Sequence, residues 1–206
     1  AVWTGAEDLD PVAQLTVELP AGHCGGDPGF ELALTYSVDG GAERFSTVPA
    51  TDLYGAVGRL LDRDCAASVL AEAATLETGE LRVVGGEGQH GVLELPVVLT
   101  PTGRRDDVVV RGFEDTVLFA QAQGSASAAD GRTRVRLARG RAPVTLLLRV
   151  VPARCDPHVL AEDKVGTLFP IVLEAPEVAT DVRPYLPLSD DDRAALRRFV
   201  PSYCEW

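Results

Sequence analysis

The chain has 206 residues, 46% of them hydrophobic, and a formal net charge of -12. That length and apolar content suit one large domain or two of about 100 residues, and they exclude a disordered or fibrous protein. The acidity, which lies in residues 1–103, argues against nucleic acid or anionic lipid as a partner of that half. No nucleic-acid partner is expected for the chain, and no apolar run approaches the roughly 18 to 20 residues that a transmembrane segment needs.

The charge is uneven. Residues 1–103 hold 4 arginines and 16 acids, net -12, whereas residues 104–206 hold 15 basic and 15 acidic residues, net 0. A single lysine, Lys164, a single isoleucine, Ile171, and the lack of asparagine and methionine are all depletions of residues with AT-rich codons, as in a GC-rich bacterial genome. A first residue other than methionine is expected to follow an upstream signal or anchor segment.

In chain order, Gln14–Leu19 alternates apolar and polar residues, and Phe30, Leu32, Leu34, Tyr36 and Val38 do so more regularly, as half-buried strands require. Asp39-Gly40-Gly41 predicts a hairpin turn, with Glu43–Val48 returning. Leu53, Val57, Leu60 and Leu61 have helical spacing behind a Thr51 or Asp52 N-cap, predicting a helix near 51–64 that can run on through Cys65 and the alanines after it. Strands are expected at Leu81–Val84 and Val92–Leu99, the latter an edge or bulged strand because it contains Pro96.

The polar stretch Thr100–Asp107 is read as a linker between domains 1–103 and 104–206. Beyond it, strands are expected at Val108–Arg111, Val117–Gln121, Thr133–Leu137, Val144–Val151 and Leu168–Leu173. Ser189 followed by three aspartates predicts a capped helix near 190–200, ended by Pro201. The fold class is therefore mainly β: two β-sandwich-like domains, immunoglobulin-like or jelly-roll, with a helix inserted in the first and a short C-terminal helix.

Cys24, Cys65, Cys155 and Cys204 are even in number and widely spaced, which suits two disulfides in an oxidising compartment better than clustered metal ligands. Pairing inside each expected domain gives Cys24–Cys65 and Cys155–Cys204. The pattern C-x3-V-L-A-E occurs at both Cys65 and Cys155, a candidate trace of domain duplication.

The stretch Arg154-Cys-Asp-Pro-His-Val-Leu-Ala-Glu-Asp-Lys-Val-Gly-Thr-Leu-Phe-Pro170 resembles a segment of uncharacterised exported proteins of actinobacteria. The resemblance implies a cell-envelope setting and carries over no catalytic residue.

Three residue sets are candidate sites. Asp156, His158, Glu162, Asp163 and Lys164 beside Cys155 form a candidate polar site, because neighbouring carboxylates can serve as acid and base or as oxygen ligands. His23, His90 and His158 are candidate copper or zinc ligands. Arg132, Arg134 and Arg136, continued by Arg139 and Arg141, are candidates for anion binding, set against the simpler expectation that they pair with acids of the same protein. No hydrolase, zinc-protease, phosphate-loop or dinucleotide motif occurs, so no catalytic residue is assigned and no cofactor is implied.

The expectation is an exported or cell-surface, non-catalytic binding or structural module, lipid-anchored or free. Its partner would be a protein or a cell-envelope component. The alternatives are an exported copper- or zinc-binding protein and a hydrolase without a recognisable motif.

Overall fold

In the computed structural model, residues 21–25, 29–38 and 40–206 are described, and the chain divides into two units, Ala1–Asp64 and Cys65–Trp206. The strand expected at Gln14–Leu19, and Asp39 of the expected turn, lie outside the described residues. None of the described helices is long and apolar enough to cross a membrane.

In the first unit, strands β1 (Phe30–Tyr36) and β2 (Arg44–Ala50) pair antiparallel, with Leu32 opposite Val48 and Tyr36 opposite Arg44. Gly40 turns the chain with φ +67°, which a residue with a Cβ rarely adopts. Helix α1 (Ala56–Ala73) starts later than the spacing predicts. Asp52 is its cap, accepting hydrogen bonds from the amides of Ala56, Val57 and Gly58 at 2.7, 2.9 and 3.1 Å. These amides, Gly58 first, hold the carboxyl below its ordinary value. Leu53 consequently precedes the helix and is exposed.

The second unit is mainly β. Strands β3 (Ala74–Thr78), β4 (Arg82–Val84), β5 (Val92–Pro101), β7 (Phe119–Gln121) and β9 (Val144–Pro152) make one antiparallel sheet, with β5 and β9 at its centre. Strands β6 (Val108–Phe113), β8 (Val135–Leu137) and β10 (Ile171–Glu174) make a second, in the order β10-β6-β8. Leu93, Leu95, Val97 and Leu99 of β5, Leu148 and Val150 of β9, and Val108 and Val110 of β6 are inward and almost fully buried. Val69, Leu70 and Ala73 of α1 join the same core, as do Leu196, Phe199 and Val200 of the last helix, α3 (Asp190–Cys204). A short helix, α2 (His158–Glu162), lies between β9 and β10.

The division between the units falls at residue 64, whereas the sequence places one at residue 103. β5 lies before it and β9 after it, yet they pair from Leu93–Val150 to Leu99–Val144 without a break. The polar residues between β5 and β6 are not a linker, because they are consumed in fastening that connection to α1. The amide of Thr102 donates to Ala73 O at 2.9 Å and Arg104 Nη2 to Ala71 O at 3.0 Å, at carbonyls that a helix end leaves without intrahelical partners. Arg105 forks onto Asp107 and Glu177, with Nη2 2.8 and 2.9 Å from one oxygen of each.

Both prolines singled out by the sequence behave differently from expectation. Pro96 sits in a central strand, opposite Leu147. Its carbonyl accepts from the amide of Gly79, in the connection between β3 and β4. The side of β5 on which proline lacks a donor thus faces a gap between two partner strands, where no ladder bond is lost. Pro201 does not end α3, which continues to Cys204. The extra turn is held by the Cys155–Cys204 disulfide and by contact between the Phe199 and Tyr203 rings. At the other end of α3 the expected capping box is present: Ser189 Oγ accepts from Asp192 N at 3.1 Å, and Asp192 accepts from Ser189 N at 3.2 Å.

The Arg105 network predicts an acid-sensitive contribution to stability. The Arg105 guanidinium holds the carboxyls of Glu177 and Asp107 below their ordinary values of 4.5 and 3.8. A depressed carboxyl stabilises the fold fully above its unfolded pKa, and that gain fades as pH falls through the lower folded value. Arg105→Gln should lower the urea midpoint at about pH 7, and the deficit relative to the native chain should shrink as pH falls below about 4.5. A deficit unchanged at about pH 2 would show that Arg105 acts through packing alone.

Candidate functional site

The segment from Cys155 to Gly166 does not gather its polar groups. Asp156 is exposed and uses Oδ1 to accept the amide of His158 at 3.0 Å, opening α2. His158 and Lys164 are exposed as well, while Asp163 turns its side chain inward, leaving it 1% exposed. Its Oδ1 accepts from the amides of Val165 and Gly166. Arg197 Nη2 stands 3.8 Å from Oδ2, within Coulombic reach but beyond hydrogen-bond distance, so that oxygen has no donor among the described residues. The side chain of Glu162 lies outside what is described.

The best-supported role of Asp163 is local. It closes the Asp-Lys-Val-Gly turn, and Gly166 is required there because a Cβ would stand 2.5 Å from Leu118 Cβ and 2.5 Å from Asp163 Oδ1. The echo between the two cysteine segments is not repeated in structure. Cys65 lies inside the long helix α1 with Val69 and Leu70 buried, whereas Cys155 lies in a loop before a five-residue helix.

All four cysteines are disulfide-bonded and none is free. Cys155 and Cys204 are joined, with Cα atoms 5.3 Å apart. The bridge fastens the end of α3, and Trp206 adds an indole Nε1 hydrogen bond to Cys155 O at 3.2 Å.

The histidines are scattered and exposed: His23 in the first unit, His90 at the end of the 3-10 turn Gly88–His90, and His158 at the start of α2. Among the described residues no group of three or more His, Cys, Asp or Glu is placed to hold a metal ion.

The arginines are different. Arg132, Arg134, Arg136, Arg139 and Arg141 are all exposed, on and around the outer strand β8. None makes an ion pair among the described residues, so the expected pairing with acids of the same protein is not formed there. Arg136 Nε and Arg139 Nε instead donate to the carbonyls of Asp106 and Gly103 at 3.2 and 3.3 Å. Some other arginines of the second unit do pair with acids. Glu94, its side chain 10% exposed, lies on β5 between Arg82 of β4 at 2.7 Å and Arg149 of β9 at 3.2 Å.

One concavity has no counterpart in the sequence reading. Val83, Gly86, Glu87 and Gly88 face Phe199, Ser202 and Glu205 across a cleft of about 630 Å³. Glu205 adopts φ 60° at the end of α3, the one left-handed non-glycine residue among the described residues. A Cβ at Gly88 would stand 2.5 Å from its carboxylate oxygen. The glycines at 85, 86 and 88 were the available signal, but nothing local connects them to a helix more than 100 residues later.

No protein-family model, no curated protein and no solved structure matches this chain.

Two substitutions separate a structural role for this segment from a chemical one. Gly166→Ala should cost about 1 to 3 kcal/mol through overpacking, lowering Tm by about 2 to 4 °C for each kcal/mol. His158→Ala, at an exposed position, should stay within about 0.5 kcal/mol of the native chain. Thermal unfolding that ranks them the other way would place His158, rather than the Asp163 turn, at the centre of the segment.

Proposed function

We propose that the protein is an exported or cell-surface, non-catalytic binding module of the bacterial envelope, and that its second unit is a β-sandwich. The observation that carries the export is the commitment of every cysteine to a disulfide. Structural disulfides persist where thiols are not kept reduced, outside the cytosol. The sandwich reading is supported by the single core to which both antiparallel sheets of the second unit contribute.

Binding is favoured over catalysis by the surface. The second unit closes some of its charged residues into ion pairs, as at Glu94 and Arg105, and carries an exposed run of arginines that makes no ion pair among the described residues. Unpaired guanidiniums are suited to recognising anionic groups, and they do no bond-making chemistry on their own. The resemblance of residues 154–170 to exported actinobacterial proteins points to the same compartment, and an envelope component is the partner class it suggests.

Fractionating cells that express the gene, followed by alkylation of the protein with and without prior reduction, tests the compartment. The expected result is protein in the envelope or medium, with four cysteines alkylated only after reduction. Recovery from the cytosol with thiols that alkylate directly would overturn the proposal.

A further inference from the structure

We infer that the arginines on and around β8 form a docking strip for a linear phosphate polymer that carries no bases. This deepens the binding-module reading and rests on it. Residues 131–155 contain seven arginines and no aspartate or glutamate, in a chain whose net charge is -12. Arg149 is paired with Glu94 in the other sheet, while Arg132, Arg134, Arg136, Arg139 and Arg141 are exposed, a local excess of positive charge at the surface.

Five of these arginines lie on or near β8: Arg136 on the strand, Arg132 and Arg134 just before it, and Arg139 and Arg141 just after it. Val135 and Leu137 of β8 turn toward the core, so Arg136 between them points outward. Arg134 precedes it by two residues. Extended chain puts alternate residues roughly 6.6 Å apart, a spacing that suits charges repeated along an extended polymer. Beyond β8 the chain turns at Ala138–Arg141, where the amide of Arg141 donates to Ala138 O at 3.1 Å, and this turn carries Arg139 and Arg141.

Two of the nearby acids are held by other arginines, Asp130 remains exposed at the start of the run, where it accepts the amide of Arg132 at 2.9 Å, and two of the arginines are pre-arranged. Glu174, the exposed acid on the outward face of the same sheet, is taken by Arg111 at 3.3 Å. Asp107, beside Arg136, is held by Arg105 at 2.8 Å. Arg136 and Arg139 are each anchored through Nε to a main-chain carbonyl, and among the described residues neither has a hydrogen bond or ion pair at its terminal nitrogens. A guanidinium fixed at one donor loses less freedom when its remaining donors fork onto a phosphate.

Nucleic acid fits less well, because single strands are held by bases stacked on exposed aromatic rings. Between residues 104 and 154 the aromatic residues are Phe113 and Phe119, both buried. Charges on an outer strand also discourage edge-to-edge pairing between copies. That role does not need the anchoring at Nε.

Titration of the whole chain with inorganic polyphosphate tests the inference. The native protein should bind with an affinity that falls steeply with salt. Arg134→Gln/Arg136→Gln should bind roughly tenfold more weakly, with a log-log salt slope shallower by about 2, one for each phosphate contact removed. Arg134→Lys/Arg136→Lys, which keeps the charge and loses the fork, should fall between them. Arg44→Gln/Arg59→Gln in the first unit should bind as the native chain does. No binding by the native chain, an equal loss in the first-unit control, or oligothymidylate bound as tightly as polyphosphate would each overturn the strip. So would a glutamine variant that self-associates with its binding unchanged. If polyphosphate fails while the protein still sediments with envelope material, the strip falls and the binding-module reading stands. If neither binds, both fall.

Discussion

The pairing of β5 with β9 is the constraint on which the second unit depends. Seven consecutive residue pairs, Leu93–Val150 to Leu99–Val144, join segments about 50 residues apart and commit one face of each strand to the core. On that inner face Leu93, Leu95, Val97 and Leu99 meet Leu148 and Val150. On the outer face the same register sets Glu94 opposite both Arg82 and Arg149, so one buried carboxylate draws three strands together. A slip of one residue would expose the leucines and bury the charges. The positions of β3, β4 and β7 follow from this pair, since each of them hydrogen-bonds to β5 or to β9.

From that frame come the surfaces that matter for function. The connection leaving β5 is pinned to α1 by Thr102 and Arg104, and to Glu177 by Arg105, which fixes where β6 begins. β6 in turn aligns β8, with Val109 opposite Arg136, and so aims the arginines outward. The return from β9 carries the chain through Cys155, whose bridge to Cys204 anchors the last turn of α3 over the glycine loop at 86–88.

What was legible in the sequence was local. The alternation at Phe30–Val38 and the short apolar runs at Val108–Arg111 and Val144–Val151 correspond to β1, β6 and β9 within a few residues. The Ser189 capping box stands where it was read, because its two hydrogen bonds lie within four residues of each other. What could not be read depended on distant partners. Ala74–Thr78 looks like a continuation of α1, since nothing between Arg59 and Thr78 breaks a helix. It becomes β3 because Val97–Pro101 offers it a strand to pair with. Thr100–Asp107 has the composition of a linker, and only the positions of α1 and Glu177 turn its polar side chains into fasteners. The polar residues after Cys155 read as one cluster because they are close in sequence. Helix α2 and the turn after it separate Asp156 and His158, which are exposed, from Asp163, whose side chain is buried. The arginines around β8 were visible as a run of residues, but that they make no ion pair among the described residues belongs to the fold.

Native-state hydrogen exchange, followed residue by residue, tests whether residues on both sides of position 103 form one cooperative unit around β5 and β9. Paired amides of β5 and β9 should open together, with the same free energy and the same response to denaturant, because neither strand can separate without breaking the shared ladder. If β5 opens in a cooperative step of its own while β9 stays protected, the ladder does not join the two segments, and a division of the chain near residue 103 would describe the protein better.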